Sequence, residues 1–253
     1  MSNELTTSTF WDSMYVSKPR PRVGWLRRCV RRKFDVLLRS LLDLAGQQAA
    51  DVMELGCAPG RMLERMHLVR PKIHLHGIDY SKVGIRIAKE YLRDVNIEAR
   101  IHEGDFQTTK VPYQCDLVVS FGLIEHFFDP VPIVCDHIRF GKPGGYVAVT
   151  VPNFATPINK QLLRWFNSPA VNAHFFEIMN PEAIKRTLTV AGLQDVRVGA
   201  VDGPRVFPRT VPNHRLAHIY ESLAVAWNFT STLSPVNWPW QYTFWGAGRI
   251  PEE

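Results

Sequence analysis

From Asp51 onward the chain alternates short runs rich in β-branched residues with amphipathic stretches, and this alternation limits the possible folds more than any other feature. The runs span residues 51–55, 73–78, 97–102, 116–119 and 145–151, with another at 196–201. Between them, residues 62–69, 82–93 and 131–140 carry apolar side chains at helical spacing. Asn180-Pro181-Glu182 opens a further helix over 183–191, with Asn as the cap, Pro in the first turn and Gly192 to stop it. Strands that alternate with helices predict an α/β fold, a largely parallel sheet with helices on both faces. The 253 residues, 45% of them apolar, suffice for one such domain with additions and exclude a disordered chain.

No apolar run reaches the ~18 residues that would suggest a membrane span, and residues 1–17 lack the basic and apolar regions of a secretory signal. Cys29, Cys57, Cys115 and Cys135 are scattered, as free thiols in a reducing compartment are. A soluble, cytoplasmic protein is expected. Residues 1–50 hold nine basic side chains against four acidic ones, so almost all of the overall +6 charge sits there. The remainder is nearly balanced, which argues against a protein that grips a long nucleic acid.

In an open parallel sheet, ligands bind beyond the carboxyl ends of the strands. The first run ends in Glu54-Leu55-Gly56-Cys57-Ala58-Pro59-Gly60. A dinucleotide fingerprint would need glycine at 58 and 61, where Ala58 and Arg61 stand; a P-loop would need Lys and Ser/Thr after Gly60, where Arg61-Met62 stand. The Glu54 carboxylate would repel a pyrophosphate and favour a cation. The second run ends in Asp79-Tyr80, where an acid can accept from two ribose hydroxyls. The third ends in Gly104-Asp105-Phe106, where a carboxylate can accept from an adenine amino group and a ring can pack on the base. The fourth leads into Phe121-Gly122-Leu123-Ile124-Glu125-His126. An adenosine with a positive charge and no phosphate satisfies all four, and S-adenosylmethionine is such a molecule.

These motifs, with the Lys142-Pro143-Gly144-Gly145 turn before the fifth run, resemble class I S-adenosylmethionine-dependent methyltransferases of the small-molecule, quinone-biosynthesis-like branch. The resemblance covers roughly residues 51–200. It implies a Rossmann-like α/β fold, a seven-stranded sheet with helices on both faces whose last, antiparallel strand comes from 240–249. It implies that Gly56, Cys57 and Gly60 line the methionine part, with Phe121 at its border. Asp79 would bind the ribose, Asp105 and Phe106 the adenine, and Glu54 and Tyr80 belong to the same cofactor set. Ala58-Pro59 departs from the family, which has a glycine and a small polar residue there. Ala-Pro-Gly is also found in RNA ribose methyltransferases, but the Asp-Met-Ala-Pro-like run those carry after the fourth strand is absent.

The expected reaction is methyl transfer to a small, partly apolar acceptor, most simply to oxygen. A methyltransferase acting on RNA or protein and a non-catalytic interaction module are the alternatives. A hydroxyl acceptor must lose a proton, and His126 is the candidate base, with His174 second; Glu125-His126 can instead simply pack the following helix. His74 with His76 and His214 with His218 have ligand-like spacing but no carboxylate or cysteine to complete a set, so no metal site is expected. Residues 1–50 form a basic amphipathic segment preceding a methyltransferase domain over 51–253. Leu26, Val30, Phe34, Leu37, Leu41 and Leu44 make one helical stripe, opposite Arg27, Arg28, Arg31, Arg32 and Lys33. That basic face either stays solvated or contacts an anionic membrane or lipid-linked acceptor. Upstream, Phe10-Trp11-Asp12-Ser13-Met14-Tyr15 resembles the aromatic segment that closes over the cofactor in this family. Insertions near 154–176 and 203–238 are expected to cap the acceptor.

Overall fold

The computed structural model describes residues 3–16, 32–46, 50–157, 160–161, 172–201 and 243–252. Seven strands form one sheet in the order β3-β2-β1-β4-β5-β7-β6. They are β1 Asp51–Leu55, β2 His74–Asp79, β3 Ala99–Glu103, β4 Cys115–Phe121, β5 Gly141–Pro152, β6 Gln194–Val201 and β7 Thr243–Arg249. The first five are mutually parallel, and β7 runs antiparallel between β5 and β6. Strand order reverses between β1 and β4, so the crevice for a ligand opens there, at the carboxyl ends.

Period-two alternation sorts the side chains into two cores. Met53 and Leu55 of β1 join Val118, Val147 and Val149 on one face, under α5 (Pro130–Phe140) and α6 (Pro181–Val190). Val52 joins Leu75, Leu117 and Val119 on the other, under α2 (Arg32–Leu44), α3 (Arg61–Val69) and α4 (Lys82–Asp94). Short helix α1 (Ser8–Val16) lies against α4. Asn180 caps α6 as expected: its Oδ1 accepts from the Ala183 N–H at 2.8 Å, with Pro181 in the first turn. Gly192 takes a positive φ of 98° just beyond it. Within α2, Phe34, Leu37 and Leu41 are buried, which bears out that part of the expected stripe. Leu26, Val30, Arg27, Arg28 and Arg31, the insertion at 203–238 and the His214–His218 pair lie outside the described residues.

Two boundaries differ from the sequence reading, each for a local reason. Ile97 donates its N–H to the Leu92 carbonyl at 2.9 Å and so closes the end of α4, which delays β3 to Ala99. Gly141 already pairs with Cys115, and the register then shifts before Leu117. Lys142-Pro143-Gly144-Gly145 is therefore an irregularity inside β5 rather than a turn ahead of it. Lys142 Nζ anchors it by donating to Asp116 Oδ1 at 2.7 Å. Among the described residues, no helix is long and apolar enough to cross a membrane.

One buried histidine makes the fold acid-sensitive. His137 on α5 donates Nδ1–H to the Ile133 carbonyl at 2.7 Å, and its Nε2 meets Ser120 Oγ at 2.9 Å. Burial lowers its pKa from 6.5 to about 4. The folded protein then binds fewer protons than the unfolded chain between those values, so stability is full above pH ~6.5 and falls toward pH 4. At 1.36 kcal/mol per unit this amounts to ~3 kcal/mol. Denaturant melts should show wild type losing that much more than His137→Asn between pH 7 and 4; parallel curves would refute it.

Candidate active site at the sheet crest

The turn after β1 is tied to the end of β2, because the Gly56 and Cys57 N–H groups both donate to the Ile78 carbonyl, at 2.9 and 3.2 Å. Gly56 needs its glycine: φ is 73°, and a Cβ would stand 3.2 Å from Leu123. Asp79 then bridges the two turns. Its Oδ2 accepts from the Ala58 N–H at 3.1 Å and its Oδ1 from the Ser81 N–H at 2.9 Å. A carboxylate has about four acceptor positions, so Asp79 keeps capacity for a ligand. At β3, Asp105 Oδ1 accepts from the Gln107 N–H at 2.8 Å, and Gln107 Nε2 donates to Glu4 Oε1 at 2.8 Å. The Arg139 guanidinium binds the carbonyls of Phe106 and Thr109 and so fixes the Asp105-Phe106 corner.

These turns line a partly open cavity, a concave site of the kind that takes a small molecule. Gly56, Asp79, Tyr80, Asp105, Phe106, Phe121 and His126 line it, together with Ala58, Gly122, Leu123 and Phe127. Helix α1 and the residues before it supply the rest: Glu4, Thr6, Trp11 and Tyr15. Among the described residues the lining holds three acids and no lysine or arginine. The wall suits a cation and disfavours phosphates. Burial raises the Asp79 pKa, opposed by its backbone hydrogen bonds. Burial and the nearby Asp105 raise that of Glu4, and burial lifts Tyr80 to about 12.

Three members of the expected cofactor set stand behind the wall instead. Alternation along β1 turns Glu54 onto the Val52 face, where it is 3% exposed. Its carboxyl accepts from the Leu63 N–H, and burial followed by the charge of Asp79 drives its pKa well up. Cys57 is buried, with Sγ packed toward Gly77, where a Cβ would come within 2.7 Å of it; burial raises its thiol pKa well above the usual range. Gly60 is the cap of α3 at φ 86°, held by its N–H to the Cys57 carbonyl at 2.8 Å. All three shape the turn, and none lines the cavity.

His126 does line it, on the short turn Ile124–His126 after β4. Its Nδ1–H donates to the Ala173 carbonyl at 2.6 Å, which leaves Nε2 as the acceptor nitrogen. Burial and the neighbouring His174 lower its pKa to about 3. It is thus neutral at working pH and, by itself, a weak base. Sequence reading missed Glu4 and Thr6, which carry no local signal; it caught Trp11 and Tyr15 through their aromatic run. It also missed that Glu125, His126 and His174 group together.

A family profile described as "Methyltransferase domain" matches residues 47–192. The chain is 28% identical over 192 residues to a ubiquinone biosynthesis O-methyltransferase of Pseudomonas fluorescens (73% of this chain, 69% of that protein). It is 24% identical over 152 residues to the one of Aeromonas salmonicida and spans 59% of that protein's length. Among solved structures, N-methyltransferase NodS from Bradyrhizobium japonicum, in complex with S-adenosyl-L-homocysteine, superposes with a TM-score of 0.58 at 15% identity, covering 97% of this chain and 99% of that one. The [4+2]-cyclase SpnF does so with a TM-score of 0.59 at 16% identity, covering 94% and 86%, so the likeness carries the fold and not the reaction. The profile match runs over more than half of the chain, through β1 to α6 and the turns after β1 to β4, and on that ground the protein belongs to the methyltransferase-domain family.

Proposed function

We propose that the protein transfers a methyl group from S-adenosylmethionine to an oxygen of a small, partly apolar acceptor. The observation that carries the cofactor side is the acid-lined cavity with Asp79 at its centre. In this reading Asp79 accepts from the ribose hydroxyls, Asp105 and Phe106 hold the adenine, and Tyr80 closes the nucleoside's flank. Gly56 and Phe121 border the methionine part. Glu54, Cys57 and Gly60 act through the turn they support. When bound, the cofactor supplies an electrophilic methyl: the S–CH3 bond breaks as the O–CH3 bond forms, the sulfonium becomes a thioether and the hydroxyl proton leaves. The residues of this chain hold the acceptor in line and exclude water. Trp11, Leu123 and Phe127 offer it an apolar wall, and the ubiquinone biosynthesis relatives support an acceptor with an apolar part. His126 stands at the reacting end with Nε2 available to the acceptor's hydroxyl.

Calorimetry should show S-adenosylmethionine and S-adenosylhomocysteine binding while NAD and ATP do not. Methyl-labelled cofactor incubated with a cell extract should then label the solvent-extractable small molecules. Label retained in RNA or protein would replace this reading with a macromolecular acceptor, and absence of cofactor binding would leave an interaction module. His126→Ala should lower turnover at least ~100-fold with cofactor affinity kept, within the range of groups that handle a proton. Normal turnover in that variant would remove His126 from the chemistry.

A further inference from the structure

His126 in the cavity wall is joined from behind by Glu125 and His174, a cluster that cofactor binding does not use. Glu125, His126 and His174 each offer one ligand atom, and these atoms all lie within 4.8 Å of one another. The chain is fastened at this point from both sides of His174. Ala173 accepts from His126 Nδ1–H at 2.6 Å, and Phe175 donates its N–H to the Glu125 carbonyl at 2.7 Å. The two imidazole centroids stand 4.5 Å apart, and the Phe154 ring backs His174 at 5.1 Å. An independent observation concerns Glu125. It is 1% exposed, and its Oε2 has no hydrogen-bond partner among the described residues. Buried carboxylate oxygens are seldom left bare, because desolvation is then uncompensated.

We propose that Glu125, His126 and His174 form a binding site for a divalent transition-metal ion, Zn2+ by their donor chemistry, at the acceptor end of the cavity. Two imidazoles and one carboxylate make up a donor set of catalytic zinc, which leaves a coordination position open. The Nδ1–H of His126 already donates to a backbone carbonyl, the outer contact that orients a ligating imidazole and frees Nε2 for the ion. Ligand atoms at ~2.1 Å in a tetrahedral site lie roughly 3.4 Å apart, so the three side chains need close in only slightly. Of the three, His126 lines the cavity, so an ion held on its Nε2 would adjoin the acceptor space. The inference deepens the methyl-transfer reading, on which its functional part rests: acceptors would be hydroxyl compounds whose oxygen reaches the ion, where the proton is lost more readily. His126 then acts as a ligand, and its weakness as a free base is no obstacle.

The test is titration of metal-stripped protein with Zn2+, and with Co2+ for its visible absorption. Wild type should bind one ion per chain at micromolar or lower concentration, with Co2+ bands of four- or five-coordinate geometry. Glu125→Gln and His174→Ala should each weaken binding at least ~100-fold, while the exposed His74→Ala control binds normally. Each variant's fold is checked by its S-adenosylmethionine affinity, which should be unchanged. No ion bound at 100-fold excess over protein, or equal binding in all variants, would overturn the site. Metal binding without cofactor binding would instead overturn the reading above and leave the site standing; cofactor binding without metal would do the reverse.

Discussion

Asp79→Ala is expected to lower affinity for S-adenosylmethionine by at least ~100-fold, the largest effect of any single substitution at the nucleoside end. Two losses combine. The cofactor's ribose loses its carboxylate acceptor, and hydrogen bonds to charged groups are worth ~1.5–3 kcal/mol each. The N–H groups of Ala58 and Ser81, now bound to the two carboxylate oxygens, lose their partners as well. The turns after β1 and β2 are then no longer joined by that carboxylate. Together these exceed the ~2.7 kcal/mol that a factor of 100 requires. Asp79→Asn keeps one carbonyl oxygen and should lose less. The buried carboxyl is costly in the empty protein, since burial raises its pKa, so the alanine variant need not melt lower. Calorimetric titration beside a thermal melt separates the two quantities. An affinity within threefold of wild type, in a folded variant, would remove Asp79 from the site.

What could be read beforehand follows the range of the physics involved. The strands and helices from β1 to α6 were legible because alternation and capping are local: Asn180 capping α6 needs only three residues of sequence. The strand ends were legible because a parallel sheet places them at one crest whatever the intervening lengths. Glu54 was assigned to the cofactor set by its place in the turn, yet the period of a strand turns it away under α3. Glu4 and Thr6 reach the cavity only because the leading segment crosses to the turn after β4, where the Leu5 N–H donates to the His126 carbonyl at 2.8 Å. No spacing rule predicts such a crossing. The cluster of Glu125, His126 and His174 was hidden for the same reason, since His174 lies in a stretch without periodic pattern. The ligand-like pair His74 and His76, expected to lack a carboxylate, has Asp51 beside it on the neighbouring strand. Asp51 Oδ1 sits 2.9 Å from His76 Nε2 and 3.5 Å from His74 Nδ1, at the opposite end of the sheet from the crest.

Freeing α1 should have the second large effect, this time on how long the cofactor stays. Among the described residues, three hydrogen bonds tie the helix over the cavity to distant parts of the chain. Asp12 Oδ1 accepts from Ser81 Oγ at 2.5 Å and from the Val83 N–H at 3.2 Å, at the positive start of α4. Tyr15 donates its hydroxyl to the Ala58 carbonyl at 2.9 Å. Gly84 permits this approach, because a Cβ there would stand 2.7 Å from the Ala58 methyl carbon and 2.8 Å from the Tyr15 ring. The double variant Asp12→Ala with Tyr15→Phe removes all three hydrogen bonds and keeps the aromatic packing. At ~1 kcal/mol for each neutral bond and more where a carboxylate accepts, docking weakens by roughly 3–5 kcal/mol. Cofactor dissociation should then accelerate on the order of 100-fold, with a smaller change in the association rate, since opening is what release awaits. Trp11 lines the cavity and meets the His126 ring edge-on at 4.9 Å, so its fluorescence reports the event in stopped flow. Gly84→Val should give the same phenotype by pushing the helix away instead of untying it. An unchanged release rate in both variants would mean that α1 packs beside the site without guarding it.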